Sequence, residues 1–166
     1  MAILSPHTDQ FGADLLALTG DSPRVYLMGR IVDYRRPAYS DALRWLRSEL
    51  PKADIVPART RWRANDDWLD GWPAFCPTVA AAAVVTVPDP DSGRHLIGLG
   101  VFDEIDDLSK LGRPVLWLCP SAGRIQPVTR FRVVPNAGRT WSDVGRLEPD
   151  DDAPPFHPRV VYGLAT

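Results

Sequence analysis

Five short apolar runs along the chain predict the strands of a buried sheet. The first covers residues 24–29, is too brief for a helix and ends at a glycine. Similar runs at residues 53–57, 81–87, 114–118 and 129–134 each contain or adjoin a proline, which is typical of strands that pass into loops. Because these runs are apolar almost throughout, they indicate strands covered on both faces, as in parallel sheets.

Segments with helical spacing separate these runs. Apolar side chains recur three and four positions apart across residues 37–50, and Pro51 ends the pattern. Another helix is predicted over residues 101–111, and a less regular segment at 59–72 leads into a helix that reaches about Ala80. The alternation predicts an α/β fold of three layers, in which helices cover both faces of a flavodoxin-like parallel sheet of about five strands.

Chain length and composition favour one domain with two appended segments. The chain has 166 residues, of which 45% are hydrophobic, and this is enough for one continuous core. Residues 1–23 are expected to form a leader with a short helix near residues 13–18. Residues 24–146 are expected to form the α/β domain, and residues 147–166 an extended tail whose apolar end needs burial.

Charge and composition argue against several classes of partner. A formal net charge of −2 gives no general attraction to nucleic acid polymers or anionic membranes. The sequence has no stretch of the roughly 20 apolar residues that a membrane span needs and no secretory signal pattern, so a cytoplasmic protein is expected. Cys76 and Cys119 form no CxxC pair and no zinc-like spacing with histidine, so they are expected to be reduced thiols, with no metal or cofactor.

The helix predicted over residues 101–111 carries one charged side chain on its inward side. At about 100° per residue, its apolar positions share one arc, whereas its aspartates and Lys110 point away. The inward arc holds Val101, Phe102, Ile105, Leu108 and Leu111. Glu104 falls within this arc, between the directions of Leu108 and Leu111.

A carboxylate at that position needs a physical explanation, because burying its charge is costly unless hydrogen bonds or an open pocket compensate. Glu104 also lies soon after Gly98-Leu99-Gly100, near a helix N-terminus, where the helix dipole favours negative charge. A positioned carboxylate facing a cleft is typical of a nucleophile or general base. The alternative is a boundary glutamate whose stem packs against the core while its carboxylate reaches water.

Two segments resemble the nucleoside 2-deoxyribosyltransferase family and its relatives, the nucleotide N-glycosidases. The first is Val25-Tyr26-Leu27-Met28-Gly29 followed by Ala38-Tyr39-Ser40-Asp41-Ala42-Leu43, similar to the opening strand, glycine loop and first helix of the family. The second is Gly100-Val101-Phe102-Asp103-Glu104-Ile105 followed by Gly112-Arg113-Pro114-Val115, similar to the family's Gly-x-x-x-Glu helix and the strand entry after it. The resemblance covers roughly residues 24–119 and implies that residues 24–146 form a domain of this family.

The resemblance implies cleavage of the N-glycosidic bond of a (deoxy)nucleoside or nucleoside 5′-monophosphate, with transfer to another base or to water. Glu104 matches the family's nucleophile, and Tyr26 matches the tyrosine that orients it, in a double displacement like that of retaining glycosidases. Asp91 matches a loop acid near the sugar, although Asp89 competes with it. Asp70 is the nearest candidate for the family's acid on the helix before the third strand.

The resemblance also implies a set of substrate contacts. Gly29 belongs to the loop after the first strand, and Gly98 and Gly100 flank the start of the glutamate helix. Arg30 and Arg35 follow the first strand, where the nucleotide glycosidases hold a phosphate, and guanidinium groups bind phosphate through paired hydrogen bonds. Solvated surface arginines are the alternative. In the family a neighbouring subunit completes the pocket, which implies a homo-oligomer.

Two other functions stay open at this point. One is cleavage of NAD or a related dinucleotide by the same glutamate. The other is a non-catalytic nucleotide-binding sensor, because Asp106 stands where the family commonly has a glycine.

Overall fold

The first strand of the chain lies near the centre of a five-stranded sheet. The computed structural model describes residues 22–137 and 140–162. The strands are β1 (Arg24–Met28), β2 (Asp54–Pro57), β3 (Ala81–Val85), β4 (His95–Ile97), β5 (Val115–Ser121), β6 (Arg124–Val128), β7 (Phe131–Pro135), β8 (Gly145–Pro149) and β9 (Arg159–Val160). The α-helices are α1 (Pro37–Glu49), α2 (Ala58–Arg61), α3 (Asn65–Phe75) and α4 (Leu99–Lys110), and 3₁₀ turns cover Ile31–Asp33 and Cys76–Thr78.

The described strands form two sheets. The larger sheet has the order β2-β1-β3-β5-β6, in which the first four strands are parallel and β6 is antiparallel to β5. The smaller sheet has the order β4-β8-β7-β9, in which β8 is antiparallel to both of its neighbours and β9 is parallel to β7. The prediction of an α/β fold with a mostly parallel five-stranded sheet is therefore confirmed.

Alternate residues of β1 belong to two separate core clusters, because successive side chains of a strand point to opposite faces. Val25 and Leu27 pack with the buried side of α1. Tyr26 packs with Ile105 and Leu108 of α4 and with aromatic residues of α3. The face of the sheet that carries Tyr26 is thus the face covered by the helix that carries Glu104.

Most of the predicted elements form where the sequence indicates them. The strands at β1, β2, β3 and β5 and the helices α1 and α4 are confirmed. Pro37 occupies the first turn of α1, and the apolar positions of that helix are the buried ones. The helix expected to reach about Ala80 ends earlier, since α3 stops at Phe75 and a 3₁₀ turn follows.

The strand predicted over residues 129–134 does not extend the parallel sheet. It forms β7, which pairs with β8 and β9 in the smaller sheet. The fifth strand of the larger sheet is instead β6, whose sequence Arg-Ile-Gln-Pro-Val is at most half-buried. An edge strand tolerates such polar residues and a proline, so it carries no apolar run that would reveal it.

The structure describes most of the predicted tail, residues 147–166, but little of the predicted leader, residues 1–23. The proposed leader lies outside the described residues except for residues 22 and 23. Residue 147, the predicted start of the tail, lies inside β8, and Phe156 in the tail is buried. Within the described residues, every helix is too short or too polar to cross a membrane.

Candidate active site

Glu104 is buried on the inward side of α4, as its position on the helical wheel predicts. Only 5% of the residue is exposed, and Val101, Ile105 and Leu108 are buried on the same side. Leu111 was also expected to face inward, and that prediction is wrong: it is 47% exposed. Leu111 is the cap residue at the end of the helix, where its N–H still bonds to the carbonyl of Asp107 but its side chain extends past the core into solvent.

A chain of three hydrogen bonds holds the Glu104 carboxylate. The Tyr26 hydroxyl donates to Oε1 of Glu104 at 2.9 Å, and Nε1 of Trp68 donates to the same oxygen at 2.7 Å. Nε1 of Trp62 in turn donates to the Tyr26 hydroxyl at 2.7 Å. Each N–H and O–H in this chain has an acceptor, so Oε1 is fixed in position by β1 and α3.

The other carboxylate oxygen is available. Within the described residues, no donor bonds to Oε2 of Glu104. The fully enclosed side-chain atoms that lack a hydrogen-bond partner in that part of the chain belong to Ser109, Arg113 and Asp150. Oε2 is not one of them, so it keeps some exposure. The geometry therefore distinguishes an oxygen that two donors anchor from one to which no described donor bonds.

Aromatic rings surround the carboxylate network. Tyr26 contacts Trp72 at a centroid distance of 5.3 Å and Phe75 at 5.4 Å, and Trp68 stacks on Trp72 at 6.5 Å. Nε1 of Trp72 donates to Oδ2 of Asp107 at 3.0 Å, which ties α3 to α4 beside the site. The N–H edges of Trp68 and Trp72 therefore point to the carboxylates of Glu104 and Asp107, and the rings pack around Tyr26.

Burial raises the pKa of Glu104 to about 8, because the ionised form loses its hydration. The hydrogen bonds from Tyr26 and Trp68 act in the opposite direction, and the charges of Asp103 and Asp107 add to the rise. Burial also raises the pKa of Tyr26 far above its ordinary value, so its hydroxyl stays protonated and continues to donate. Removal of either donor would raise the pKa of Glu104 further.

The Trp62 indole is held by a close approach to Gly71. A Cβ atom added at Gly71 would lie 2.7 Å from Cζ3 of Trp62, a distance that forces the ring or the helix to move. The Arg61 guanidinium lies over the Trp62 ring, with Cζ at 4.2 Å from the ring centroid. Gly71 is therefore the residue that admits the indole to its hydrogen bond with Tyr26.

We expect Gly71→Ala to lower the free energy of unfolding by about 1–3 kcal/mol through overpacking. Gly100→Ala is the matched control, because a Cβ there meets nothing within 4 Å and alanine favours a helix. It should raise the free energy of unfolding by about 0.5–1 kcal/mol. Urea titrations of both variants measure the difference. Equal stabilisation by both substitutions would contradict the tight contact at Trp62.

Arg30 and Arg35, the predicted phosphate contacts after β1, differ in whether their guanidinium groups already have hydrogen-bond partners. The Arg30 guanidinium uses all three nitrogens inside the protein: two bond to Asp33, at 2.8 and 3.4 Å, and Nη1 bonds to the carbonyl of Ser142 at 3.3 Å. Arg35 is exposed, and no described residue bonds to its side chain. Of these two predicted phosphate contacts, Arg35 is the one with free donors.

The glycines predicted to contact substrate have different surroundings. A Cβ at Gly29 would lie 3.0 Å from the Tyr39 ring, and one at Gly98 would lie 3.0 Å from the carbonyl oxygen of Trp141. Gly100 faces open space. The absence of a side chain at Gly29 and Gly98 therefore serves packing, whereas Gly100 leaves room at the start of α4.

The two candidate acids lie at the surface. Asp70 is exposed on α3, and Asp91 is exposed in the turn before β4. Within the described residues, no hydrogen bond or ion pair joins either side chain to Glu104. The structure thus brings Tyr26 and Glu104 together and leaves the other predicted acids apart from them.

Trp62 and Trp68 are the site residues that sequence reasoning missed. They lie in residues 59–72, where the pattern of apolar positions is irregular. A usable signal existed: Trp68 and Trp72 are four positions apart, so on a helix they share a face. A helical reading that began near Asn65 would have directed both indoles toward the glutamate helix.

The described residues also form a cleft at the edge of the sheet where the parallel strands begin, and Glu104 does not line it. A depression of about 1000 Å³ lies at the amino ends of the parallel strands, lined by Arg24, Asp54 and Arg113 among others. Ligands of such sheets bind beyond the carboxyl ends of the strands, so this cleft is not the expected substrate site. Within the described part of the chain, no group of three or more metal-binding side chains occurs.

Comparison of the chain with protein-family models, with curated proteins and with solved structures finds no significant match.

Proposed function

We propose that this protein cleaves the N-glycosidic bond of a (deoxy)nucleoside or nucleoside 5′-monophosphate, with Glu104 as the nucleophile. The observation that carries the proposal is the buried hydrogen bond of 2.9 Å between the Tyr26 hydroxyl and Oε1 of Glu104. It joins the two residues that the family resemblance assigns to the reaction, although they are 78 positions apart. The same resemblance supports a homo-oligomer, and the exposed Trp141 offers apolar surface that a second subunit would cover. The sequence features that predict a cytoplasmic location are part of the proposal as well.

The proposal includes a flavodoxin-like arrangement of three layers. It is supported by the strand order β2-β1-β3-β5, in which the first four strands are parallel, and by the two core clusters on opposite sides of β1. In that arrangement α4 follows a connection at the carboxyl edge of the sheet, where substrates bind.

The two oxygens of Glu104 have different roles in the proposed reaction. Oε1 is held by Tyr26 and Trp68, and Oε2 attacks the anomeric carbon of the sugar. A carbon–oxygen bond forms, the carbon–nitrogen bond breaks, and the base leaves with the electron pair and is protonated. Water then releases the sugar, or a second base receives it.

The pKa of Glu104 sets a requirement for this reaction. At about 8, it leaves only a minor fraction of the carboxyl ionised at neutral pH. Attack needs the ionised form, so base release should increase as the pH rises toward 8.

A phosphate on the substrate would be bound by Arg35, whose donors are free, in preference to Arg30.

The direct test is incubation with nucleosides, nucleoside 5′-monophosphates and NAD, followed by chromatography for the released base. We expect release from at least one nucleoside or monophosphate, faster at pH 8 than at pH 6. Release of nicotinamide from NAD alone would assign the alternative dinucleotide substrate. No release from any member of the panel, in protein shown to be folded, would contradict the proposal.

One observation favours a second candidate, a nucleotide-binding sensor without turnover. Glu104 is almost fully enclosed and is protonated at neutral pH, which suits a structural hydrogen-bond acceptor as well as a nucleophile. A sensor would bind a nucleotide tightly in calorimetry without release of base, and Glu104→Gln would leave the affinity unchanged.

A further inference from the structure

A second group of reactive side chains lies outside the Glu104 site. Nδ1 of His95 is 2.8 Å from the Thr86 hydroxyl, and Nε2 of His95 is 3.8 Å from Sγ of Cys119. Nε1 of Trp117 donates to the Thr86 oxygen at 2.9 Å. A thiol, an imidazole and a hydroxyl therefore follow one another in a row, which is the order of a nucleophile, its base and the group that orients the base.

The fold brings these three side chains together at the edge of the sheet where ligands bind. Thr86 directly follows β3, and Cys119 lies in the last part of β5, the parallel neighbour of β3. The carboxyl ends of parallel strands meet at one edge. His95 begins β4, and the pairing of β4 with β8 fixes the backbone of the histidine.

The imidazole is restrained on two sides. The His95 ring packs against the edge of Trp117, with 5.0 Å between the ring centroids, and Nδ1 faces the Thr86 hydroxyl. Thr86 is only 1% exposed. The Thr86 oxygen accepts the indole N–H, and the tautomer of His95 decides whether Nδ1 donates to this oxygen or accepts the Thr86 hydroxyl hydrogen. With the proton on Nδ1, the lone pair of Nε2 points to the thiol.

The two cysteines of the chain have contrasting surroundings. Both are free thiols. Cys76 is buried in the apolar core beside α3, and burial raises its pKa to about 11. Cys119 is half-buried, so it keeps more exposed surface than Cys76, and its thiol hydrogen has either Nε2 of His95 or the carbonyl of Pro120 as acceptor. Cys76 is thus an internal control for an inert thiol.

Burial keeps both partners of the pair neutral. It lowers the pKa of His95 below its ordinary value and raises the pKa of Cys119, and no charged side chain contributes to either shift. A neutral imidazole accepts a proton, and a neutral thiol donates one. The pair therefore meets the requirement for base-assisted formation of a thiolate during a reaction, without a standing charge in the ground state.

We propose that Cys119 is a nucleophilic thiol, with His95 as its general base and Thr86 as the residue that positions His95, and that it reacts with small disulfides. The site is independent of Glu104 and of the proposed glycosidic reaction. Nε2 of His95 takes the thiol proton, and the Cys119 sulfur attacks one sulfur of the disulfide. A protein–reagent disulfide forms, the reagent's own disulfide breaks, and its leaving thiolate takes the proton from His95. The cysteine is oxidised and the disulfide is reduced.

The test uses 2,2′-dithiodipyridine, a neutral disulfide whose released thiopyridone absorbs light, with mass spectrometry of peptides to locate the modified cysteine. In the folded protein, Cys119 should react and Cys76 should not, so Cys119→Ser should abolish the fast release. Cys76→Ser should leave it unchanged. His95→Gln should slow the reaction of Cys119 by roughly tenfold or more, and Thr86→Val should slow it less.

The pH profile separates a base from a merely structural histidine. In the wild-type protein, the rate should become constant between about pH 6.5 and pH 8, because neutral His95 already serves as the base. In His95→Gln it should rise about tenfold per pH unit, as expected for direct ionisation of a thiol. A wild-type rate that rises in this way, equal rates in His95→Gln and wild type, or faster modification of Cys76 would overturn the proposal. If a variant fails to fold, the pH profile of the wild-type protein is sufficient to test the proposal.

Discussion

We expect Glu104→Gln to lower the rate of base release by a factor on the order of 10³ or more and to leave the fold unchanged. The amide oxygen still accepts the hydrogen bonds that Tyr26 and Trp68 donate to Oε1. However, the second position of an amide carries no negative charge and cannot attack the anomeric carbon. Chromatography of the released base, with the most active substrate of the panel, measures the ratio of rates.

Tyr26→Phe is the matched control for this substitution. It removes one donor to the Glu104 carboxylate and leaves the nucleophile in place. Because that hydrogen bond favours the ionised form, its loss raises the pKa of Glu104 and moves the rise in activity to higher pH. Its activity should lie between those of the wild type and Glu104→Gln. Wild-type rates in Glu104→Gln, at unchanged circular dichroism, would remove Glu104 from the reaction.

The part of the site that was predicted follows from simple periodicities. The period of an α-helix places Glu104 among Val101, Ile105 and Leu108, and the structure buries all four. The alternation of a strand then decides which face of β1 meets that helix, and Tyr26 lies on it. Elements that are apolar along their length, such as β3, are likewise evident from composition alone.

The part that was missed depends on long-range pairing or on polar edges. β6 is a proline-containing edge strand, and β4 is a strand of three residues formed only through β8. The role of Arg30 was obscured for a similar reason. Its partner Asp33 is three positions away, but the 3₁₀ turn that buries Asp33 has no distinct sequence pattern. A guanidinium after a strand is equally compatible with a phosphate contact and with an internal ion pair.

The Trp62–Tyr26–Glu104 chain shows why a buried polar network is hard to infer from one sequence. Each member has an ordinary explanation by itself: an indole in a core, an aromatic residue in a strand, a glutamate at a helix boundary. What makes them one unit is the order of donors, since each N–H or O–H reaches an acceptor on another element. Only the packing of α4 and of the segment around Trp62 on the same face of β1 brings them within hydrogen-bond distance.

The contribution of Glu104 to the stability of the protein should fall as the pH rises from 4.5 to 8. The carboxyl has its ordinary pKa of 4.5 in the unfolded chain and a pKa of about 8 in the folded one. Between these values the folded state holds a proton that the unfolded state has lost. The part of the free energy of unfolding that Glu104 contributes therefore decreases over this range, by about 1 kcal/mol per pH unit and by a few kcal/mol in total.

Glu104→Gln isolates this contribution, because an amide does not titrate and every other group is shared by the two proteins. Urea titrations of both at pH 4.5, 6, 7, 8 and 9 should show a stability difference that favours the variant increasingly from pH 4.5 to about 8 and is constant above it. Above pH 8, Glu104 is ionised in both the folded and the unfolded wild type. The difference in the free energy of unfolding then contains the whole cost of burying its charge and no longer changes with pH. A difference that is independent of pH would mean that the carboxyl titrates normally in the folded protein. In that case burial does not raise the pKa of Glu104, and the proposed rise of base release toward pH 8 fails with it.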